Sequence, residues 1–80
     1  MMVTPESIRS SIESGLACER VEVVGDGQHF QALVVAVAFA GKSRIQRHQL
    51  VYAALGERMR EEVHALSMKT LTPEEFAAGG

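Results

Sequence analysis

The sequence predicts an α/β (α+β) domain in which helices pack on a three-stranded mixed sheet. Helix-start patterns occur at three places, two apolar strand-like stretches follow the first, and a third strand-like stretch lies near the end. The predicted order is helix, strand, strand, helix, helix, strand, helix, which is also the order of the type II KH-like arrangement. Eighty residues are enough for one hydrophobic core, so residues 1–80 are expected to form a single domain.

The first predicted helix begins at Thr4, an N-cap residue followed by proline at the first helical position. Ile8, Ile12 and Leu16 follow at four-residue spacing, which gives an otherwise polar helix one apolar stripe. We expect the chain to leave this helix between residues 15 and 18.

Two strands joined by a short turn are predicted next. Residues 20–24 contain the valines typical of a strand. Gly25-Asp26-Gly27 favours a turn, since glycine adopts positive φ and aspartate accepts local backbone hydrogen bonds. Residues 30–39 are apolar at both alternating sets of positions, which predicts a central strand buried on both faces. The two strands should form an antiparallel hairpin.

A capping-box pattern, Ser43 followed by Gln46, starts the next predicted helix. This helix is expected to span residues 44–55. Its predicted buried positions are Ile45, Val51, Tyr52 and Leu55. After Gly56 the apolar pattern resumes over residues 57–63, with Met59 and Val63 inward. A second helix after a tight turn is the simplest interpretation, and one long helix with a kink is the alternative.

A third strand and a short helix complete the predicted fold. Residues 65–71 have the pattern of a strand, and Thr72 with Glu75 forms a further capping box before a helix that ends at Gly79-Gly80. The chain passes through helices between the second and third strands. These two strands should therefore be parallel, joined by a right-handed crossover.

Composition limits the functional classes. The net charge of −2 and the pI near 5.9 count against a domain specialised for phosphate backbones. The single cysteine, Cys18, cannot form an internal disulfide, which fits a protein of a reducing, cytoplasmic compartment. We expect the Cys18 side chain to be small and buried. No signal peptide is expected, and the apolar run over residues 32–40 is too short to span a bilayer. The sequence has no phosphate-binding glycine loop, no nucleophile elbow and no pair of metal-binding histidines at helical spacing. The protein is therefore predicted not to be an enzyme.

Three stretches of sequence resemble the BolA-like family. Residues 39–48, FAGKSRIQRH, are similar to the family pattern of Phe, any residue, Gly and then Arg-His, and residues 50–52 continue the match. Residues 64–73, HALSMKTLTP, resemble the family's His-Ala strand and Thr-Pro helix start. Residues 25–30, GDGQHF, look like the short loop of a bacterial subgroup. The resemblance covers about residues 8–76.

This resemblance implies a partner of monothiol glutaredoxins. In that family a 2Fe-2S cluster is shared between the glutaredoxin cysteine, a glutathione thiol and ligands of the BolA-like protein. The ligand in the His-Ala motif carries over to His64, and the second comes from the first strand–strand loop, where His29 and Asp26 are the candidates. We expect no cluster in the isolated protein, which has too few soft ligands. Alone, it should be a monomer or weak homodimer; the resemblance also implies a role in the stress response.

Each proposed ligand has a simpler interpretation. His64 is equally suited to stabilising the end of a helix by interaction with its dipole. His29 has the alternative of an exposed residue at the start of a strand, and Asp26, as a hard carboxylate ligand, suits a labile cluster poorly.

Lys42, Arg44, Arg47 and the adjoining His48 form a basic cluster that favours an alternative function. A nucleic-acid-binding regulator with a KH-like or helix-turn-helix-like fold would use this cluster. KH domains clamp the backbone with a Gly-x-x-Gly loop, which the sequence lacks. A solvated face or a docking patch for an acidic partner explains the cluster too. His48 shares a helix face with its apolar neighbours and is predicted to be a packed residue.

Overall fold

Three helices and three strands are present in the computed structural model, which describes residues 4–26, 28–59 and 65–79. The elements in chain order are α1 (Pro5–Gly15), β1 (Arg20–Gly25), β2 (Phe30–Val35), a 3-10 turn (Val37–Phe39), α2 (Arg44–Leu55), a second 3-10 turn (Gly56–Met59), β3 (Leu66–Leu71) and α3 (Pro73–Ala77). The predicted α/β class with a three-stranded mixed sheet is confirmed.

Side-chain caps fix the starts of the three described α-helices. The hydroxyl oxygens of Thr4, Ser43 and Thr72 each accept the backbone N–H of the residue three positions on, at 3.1–3.2 Å. In return, the third residue's side chain accepts the cap residue's own N–H. These reciprocal bonds satisfy donors that a helix otherwise leaves unpaired at its N-terminus. The predicted starts of all three helices are therefore confirmed.

The sheet has the order β1-β2-β3, with β2 in the centre. β1 pairs antiparallel with β2, with Val21 opposite Val34, and β3 pairs parallel with β2, with Phe30 opposite Leu66. The predicted hairpin, the central position of β2 and the parallel third strand are all confirmed.

One face of the sheet forms the core with α1 and α2. The buried core cluster includes Ile8, Ile12, Val21, Phe30, Ala32, Val34, Val51, Leu55 and Leu66. The two helices approach closely where Gly15 meets Ala54. A Cβ at position 15 would lie 2.7 Å from the Ala54 Cα, so a larger residue there would push α1 away from α2.

The prediction of one strand over residues 30–39 is wrong at its end. β2 stops at Val35, and the Ala36 N–H donates to the Leu71 carbonyl at 3.0 Å. The chain then turns, with the Phe39 N–H donating to Ala36 at 3.2 Å, and the Phe39 side chain becomes fully buried. A 3-10 turn and a strand can bury equally apolar sequences, so the apolar run did not reveal where the strand ended.

The opposite face of the sheet is largely open, which also corrects the prediction that β2 is buried on both faces. Gln31 is exposed and Leu33 is half-buried, whereas Val35 is buried near the end of the sheet that α3 follows. α3 has only five residues, too few to cover three strands.

The predicted buried positions of α2 are half right. Val51 and Leu55 are buried, but 71% of Ile45 and 38% of Tyr52 are exposed. Successive residues of a helix are about 100° apart, so Tyr52 points well away from the inward direction of Val51.

The second predicted helix, over residues 57–63, is replaced at its start by the 3-10 turn Gly56–Met59. Gly56 has φ +64°, a conformation that ends α2 and that glycine adopts without strain. Residues 60–63 and the side chain of Met59 lie outside the described part of the chain. Within that part, no helix is long and apolar enough to cross a membrane.

Candidate functional site at the hairpin end of the sheet

The parallel pairing of β2 with β3 places the β1–β2 loop beside the start of β3. His29 directly precedes Phe30, which lies opposite Leu66 in the register, and Ala65 directly precedes Leu66. The loop residues Asp26 and His29 are therefore at the end of the sheet where β3 begins. We call this region, Asp26, His29 and Ala65, the hairpin end. His64, the principal predicted ligand, precedes Ala65 in the sequence and lies outside the described residues.

Asp26 shapes the loop. Its Oδ1 accepts the backbone N–H groups of Gln28 at 2.9 Å and His29 at 2.8 Å, while its own N–H donates to the His29 carbonyl at 3.2 Å. The hydrogen bonds from His29 and then Gln28 favour the ionised form and lower the pKa of the Asp26 carboxyl. One oxygen of this carboxylate is therefore committed to the backbone of the loop.

The His29 side chain is exposed at the hairpin end. The backbone that carries it is closely packed at Gly25. A Cβ at this position would come within 2.5 Å of the Phe30 ring and 2.7 Å of the His29 carbonyl oxygen. Within residues 4–26, 28–59 and 65–79, no group of three or more His, Cys, Asp or Glu side chains is arranged to hold a metal ion. The described residues by themselves therefore do not supply a complete ligand set.

At the other end of the sheet, the predicted binding residue Arg47 joins three elements. Its guanidinium donates to the Thr70 carbonyl at 3.1 Å, to the Glu75 carboxylate at 2.7 and 3.3 Å, and to the Lys42 carbonyl at 3.1 Å. It also lies 6.0 Å from the centre of the buried Phe39 ring. Only 14% of the side chain is exposed, so the charge of Arg47 interacts with groups of the protein itself more than with solvent. We call Arg47, Thr70 and Glu75 the arginine end.

The remaining members of the basic cluster line a surface groove. Lys42, Arg44 and His48 are joined there by Lys69, which the sequence analysis did not include. β3 contributes Lys69 to this groove from across the fold, and no local spacing links it to α2. Burial, followed by the positive charge of Arg44, lowers the pKa of His48. The His48 ring packs edge-on against Tyr52, with ring centres 6.5 Å apart.

Comparison with known proteins identifies the family. The profile described as BolA-like protein matches residues 3–75. The chain belongs to the BolA-like family. It is 41% identical over 71 residues to the acid stress protein IbaG of Escherichia coli K12, which covers 88% of this chain and 84% of that protein. A solved BolA homologue from Coxiella burnetii superimposes with a TM-score of 0.83 at 48% identity, covering 95% of this chain and 99% of that chain.

A further relative of this BolA-like protein carries a different functional name. The DNA-binding transcriptional regulator BolA of Haemophilus influenzae is 37% identical over 54 residues, which are 68% of this chain and 52% of that protein. The family thus includes a protein named for acid stress and one named as a regulator, and neither name denotes an enzyme.

The single thiol of this BolA-like protein lies away from the hairpin end. Cys18 is half-buried, and its Sγ donates to the Leu16 carbonyl at 3.2 Å. Burial, and then the negative charge of Glu13, raises the pKa of the thiol. A raised pKa favours the thiol over the thiolate, which is the form that binds metals.

Proposed function

We propose that this BolA-like protein is a non-enzymatic partner of a monothiol glutaredoxin, with which it shares a 2Fe-2S cluster. The pairing of Phe30 with Leu66 is the observation that supports this role most directly. It brings His29 to the start of β3, and a single residue, Ala65, separates that strand from His64 in the sequence. We place this role in the stress response because of the name of the Escherichia coli relative.

The loop geometry favours His29 over Asp26 as the second protein ligand. Oδ1 of Asp26 already accepts two backbone N–H groups, and the carboxylate is a hard ligand poorly matched to an iron–sulfur cluster. The exposed imidazole of His29 is the softer donor of the two. Asp26 then positions His29, because the same oxygen that closes the turn accepts the His29 N–H.

The ligand count explains the need for a partner. A 2Fe-2S cluster requires four protein or thiol ligands. His64 and His29 would supply two nitrogens, and the glutaredoxin cysteine and glutathione would supply two sulfurs. Replacing sulfur ligands by histidine raises the reduction potential of such a cluster. The shared cluster should therefore differ measurably from the cluster of the glutaredoxin alone.

Anaerobic reconstitution with a monothiol glutaredoxin and glutathione tests this function. Visible absorption and circular dichroism should show a mixed species with the native protein, lose it with His64→Ala, and lose or alter it with His29→Ala. Asp26→Asn is the matched control, since its amide oxygen retains the turn acceptor and only the carboxylate is removed. His48→Ala removes a histidine of the basic groove and should leave the spectrum unchanged.

Two results would contradict the proposal. One is a mixture whose spectrum remains that of the glutaredoxin alone. The other is a mixed spectrum that His64→Ala leaves intact. A spectrum that changes with Asp26→Asn but not with His29→Ala would instead assign the second ligand to the carboxylate.

Nucleic-acid binding is the second candidate, favoured by the name of the Haemophilus relative and by the groove of Lys42, Arg44 and Lys69. Three phosphate contacts predict that the logarithm of the binding constant falls with the logarithm of salt concentration with a slope of about −3. Fluorescence anisotropy with a labelled DNA duplex measures this slope. Lys69→Gln should reduce its magnitude by about one, and unchanged binding would remove the groove from consideration.

A further inference from the structure

One side of α2 leaves two large apolar side chains, Ile45 and Tyr52, exposed to solvent. Ile45, His48, Gln49 and Tyr52 follow at the spacing i, i+3, i+4 and i+7, which places them on one side of the helix. Ile45 is 71% exposed, and Tyr52 packs against His48 while 38% of it remains exposed. We call these four residues the α2 stripe. A single exposed apolar residue is ordinary, but two on one side of a helix, Ile45 and Tyr52, offer anchors to a partner helix.

The charged residues of the α2 segment have one sign. Residues 42–56 contain Lys42, Arg44 and Arg47 and no acidic residue, although the whole chain has a net charge of −2. Arg47 is paired with Glu75, so the positive charges that face the groove are those of Lys42, Arg44 and Lys69. His48 connects the stripe to these charges, because it contacts Tyr52 and also lines the groove of Lys42, Arg44 and Lys69. An occupant that complements this surface combines an apolar row with negative charges along its border.

We propose that the α2 stripe docks an amphipathic helix of a partner protein whose apolar row is bordered by acidic residues. Ile45 and Tyr52 would be the apolar anchors, and Lys42, Arg44 and Lys69 would pair with the acidic border. This docking requires no metal cluster and is independent of the function proposed above.

The same surface fits a nucleic acid less well. Arg47, the best-placed guanidinium of the cluster, already donates to Glu75 and Thr70 and has few donors left for phosphate. Binding a phosphate backbone would also leave Ile45, the most exposed large apolar side chain described, without an apolar partner. A helix with an apolar row and acidic flanks uses both features.

Two-dimensional NMR titration of the full ¹⁵N-labelled chain tests the proposal. The probe is a synthetic amphipathic helix with leucines at i, i+3, i+4 and i+7 and glutamates beside them. A scrambled peptide of identical composition and a 20-base-pair DNA duplex are titrated in parallel. The amphipathic peptide is expected to shift the resonances of α2 residues, and Ile45→Ser to weaken its binding about tenfold. Val24→Ser is the matched control, because Val24 is 62% exposed but lies on β1.

The alternatives give distinct results. Equal binding of the scrambled peptide would show charge attraction without docking, and equal losses with Ile45→Ser and Val24→Ser would remove the stripe as the site. Tight binding of the DNA duplex that shifts the same α2 resonances, with no shift from the amphipathic peptide, would assign the surface to nucleic acid. No shift at millimolar peptide would also overturn the proposal.

Discussion

The two ends of the sheet are held in different ways. At the arginine end, one guanidinium connects α2 to β3 and α3 through hydrogen bonds to residues far apart in sequence. At the hairpin end, the described hydrogen bonds of the Asp26 side chain are to Gln28 and His29 of its own loop. Both ends are polar and close to solvent, but among the described side chains it is Arg47, and not Asp26, that bonds to separate elements.

This difference assigns stability mainly to the arginine end and leaves the hairpin end suited to ligand binding. Long-range contacts at the arginine end oppose unfolding of the whole domain, whereas a loop held by local contacts opens at low cost. A residue that must reach a ligand on another protein benefits from such a loop, since its rearrangement leaves the core intact. We therefore expect substitution of the proposed ligand His29 to cost less stability than substitution of Arg47.

The largest expected effect is that of Arg47→Met, which keeps most of the apolar side chain and removes every guanidinium donor. We expect a loss of about 2–3 kcal/mol in the free energy of unfolding, because hydrogen bonds to β3, to α3 and to the loop that precedes α2 are lost. For a domain of this size, the melting temperature should fall by roughly 10–20 °C. Urea unfolding and thermal scans measure both quantities.

Arg9→Met is the matched control for this substitution. Arg9 forms an exposed ion pair with Glu13 at 3.4 Å within α1, with 58% of the arginine side chain accessible. Exposed pairs at this spacing contribute about 0.3–0.5 kcal/mol. Similar losses for Arg9→Met and Arg47→Met would show that Arg47 does not hold the elements together.

A pH profile separates the carboxylate of Glu75 from the rest of the arginine end. The hydrogen bond from Arg47, and then that from the Thr72 backbone, lowers the pKa of Glu75 from 4.5 to about 2. A carboxylate whose pKa is lowered on folding stabilises the fold while it is ionised. The contribution of Glu75 is therefore complete above pH 4.5 and is lost as the pH falls towards 2. Glu75→Gln should therefore be less stable than the native chain at neutral pH, and the difference should shrink below pH 4.5.

Urea midpoints of the native and Glu75→Gln proteins over this pH range give the comparison. Asp26 also has a lowered pKa and is present in both proteins, so its contribution cancels in the difference. A difference that is constant with pH would mean that the Glu75 charge does not stabilise the fold.

The smallest expected effects are at the hairpin end. Asp26→Asn should lower the urea midpoint only slightly at neutral pH, because the amide oxygen still accepts the N–H groups of Gln28 and His29 and only the charge that strengthens these bonds is lost. Asp26→Ala should lower the midpoint slightly, by less than Arg47→Met does. Amide hydrogen exchange at Gln28 and His29 should quicken in Asp26→Ala alone. A global loss of stability comparable to that of Arg47→Met would contradict the contrast between the two ends.

Local sequence determined the starts of the helices and the identity of the strands. Each cap is a Ser or Thr whose partner is three residues away, so the reciprocal hydrogen bonds depend on nothing outside that segment. The valines of β1 and the turn residues Asp26 and Gly27 predicted the hairpin for the same reason. The family motifs, too, were recognisable as short ordered stretches of sequence.

Tertiary structure alone decided which residues meet and which remain exposed. The parallel register brings His29 to the start of β3, and the crossing of α2 over β3 gives Arg47 its bonds to Thr70 and Glu75. The angle at which α2 packs also leaves Ile45 in solvent, although its apolar character predicted burial. Spacing along the chain specifies local hydrogen bonds and one face of a helix. The distance between residues in different elements depends on how those elements pack, which the three-dimensional fold supplies.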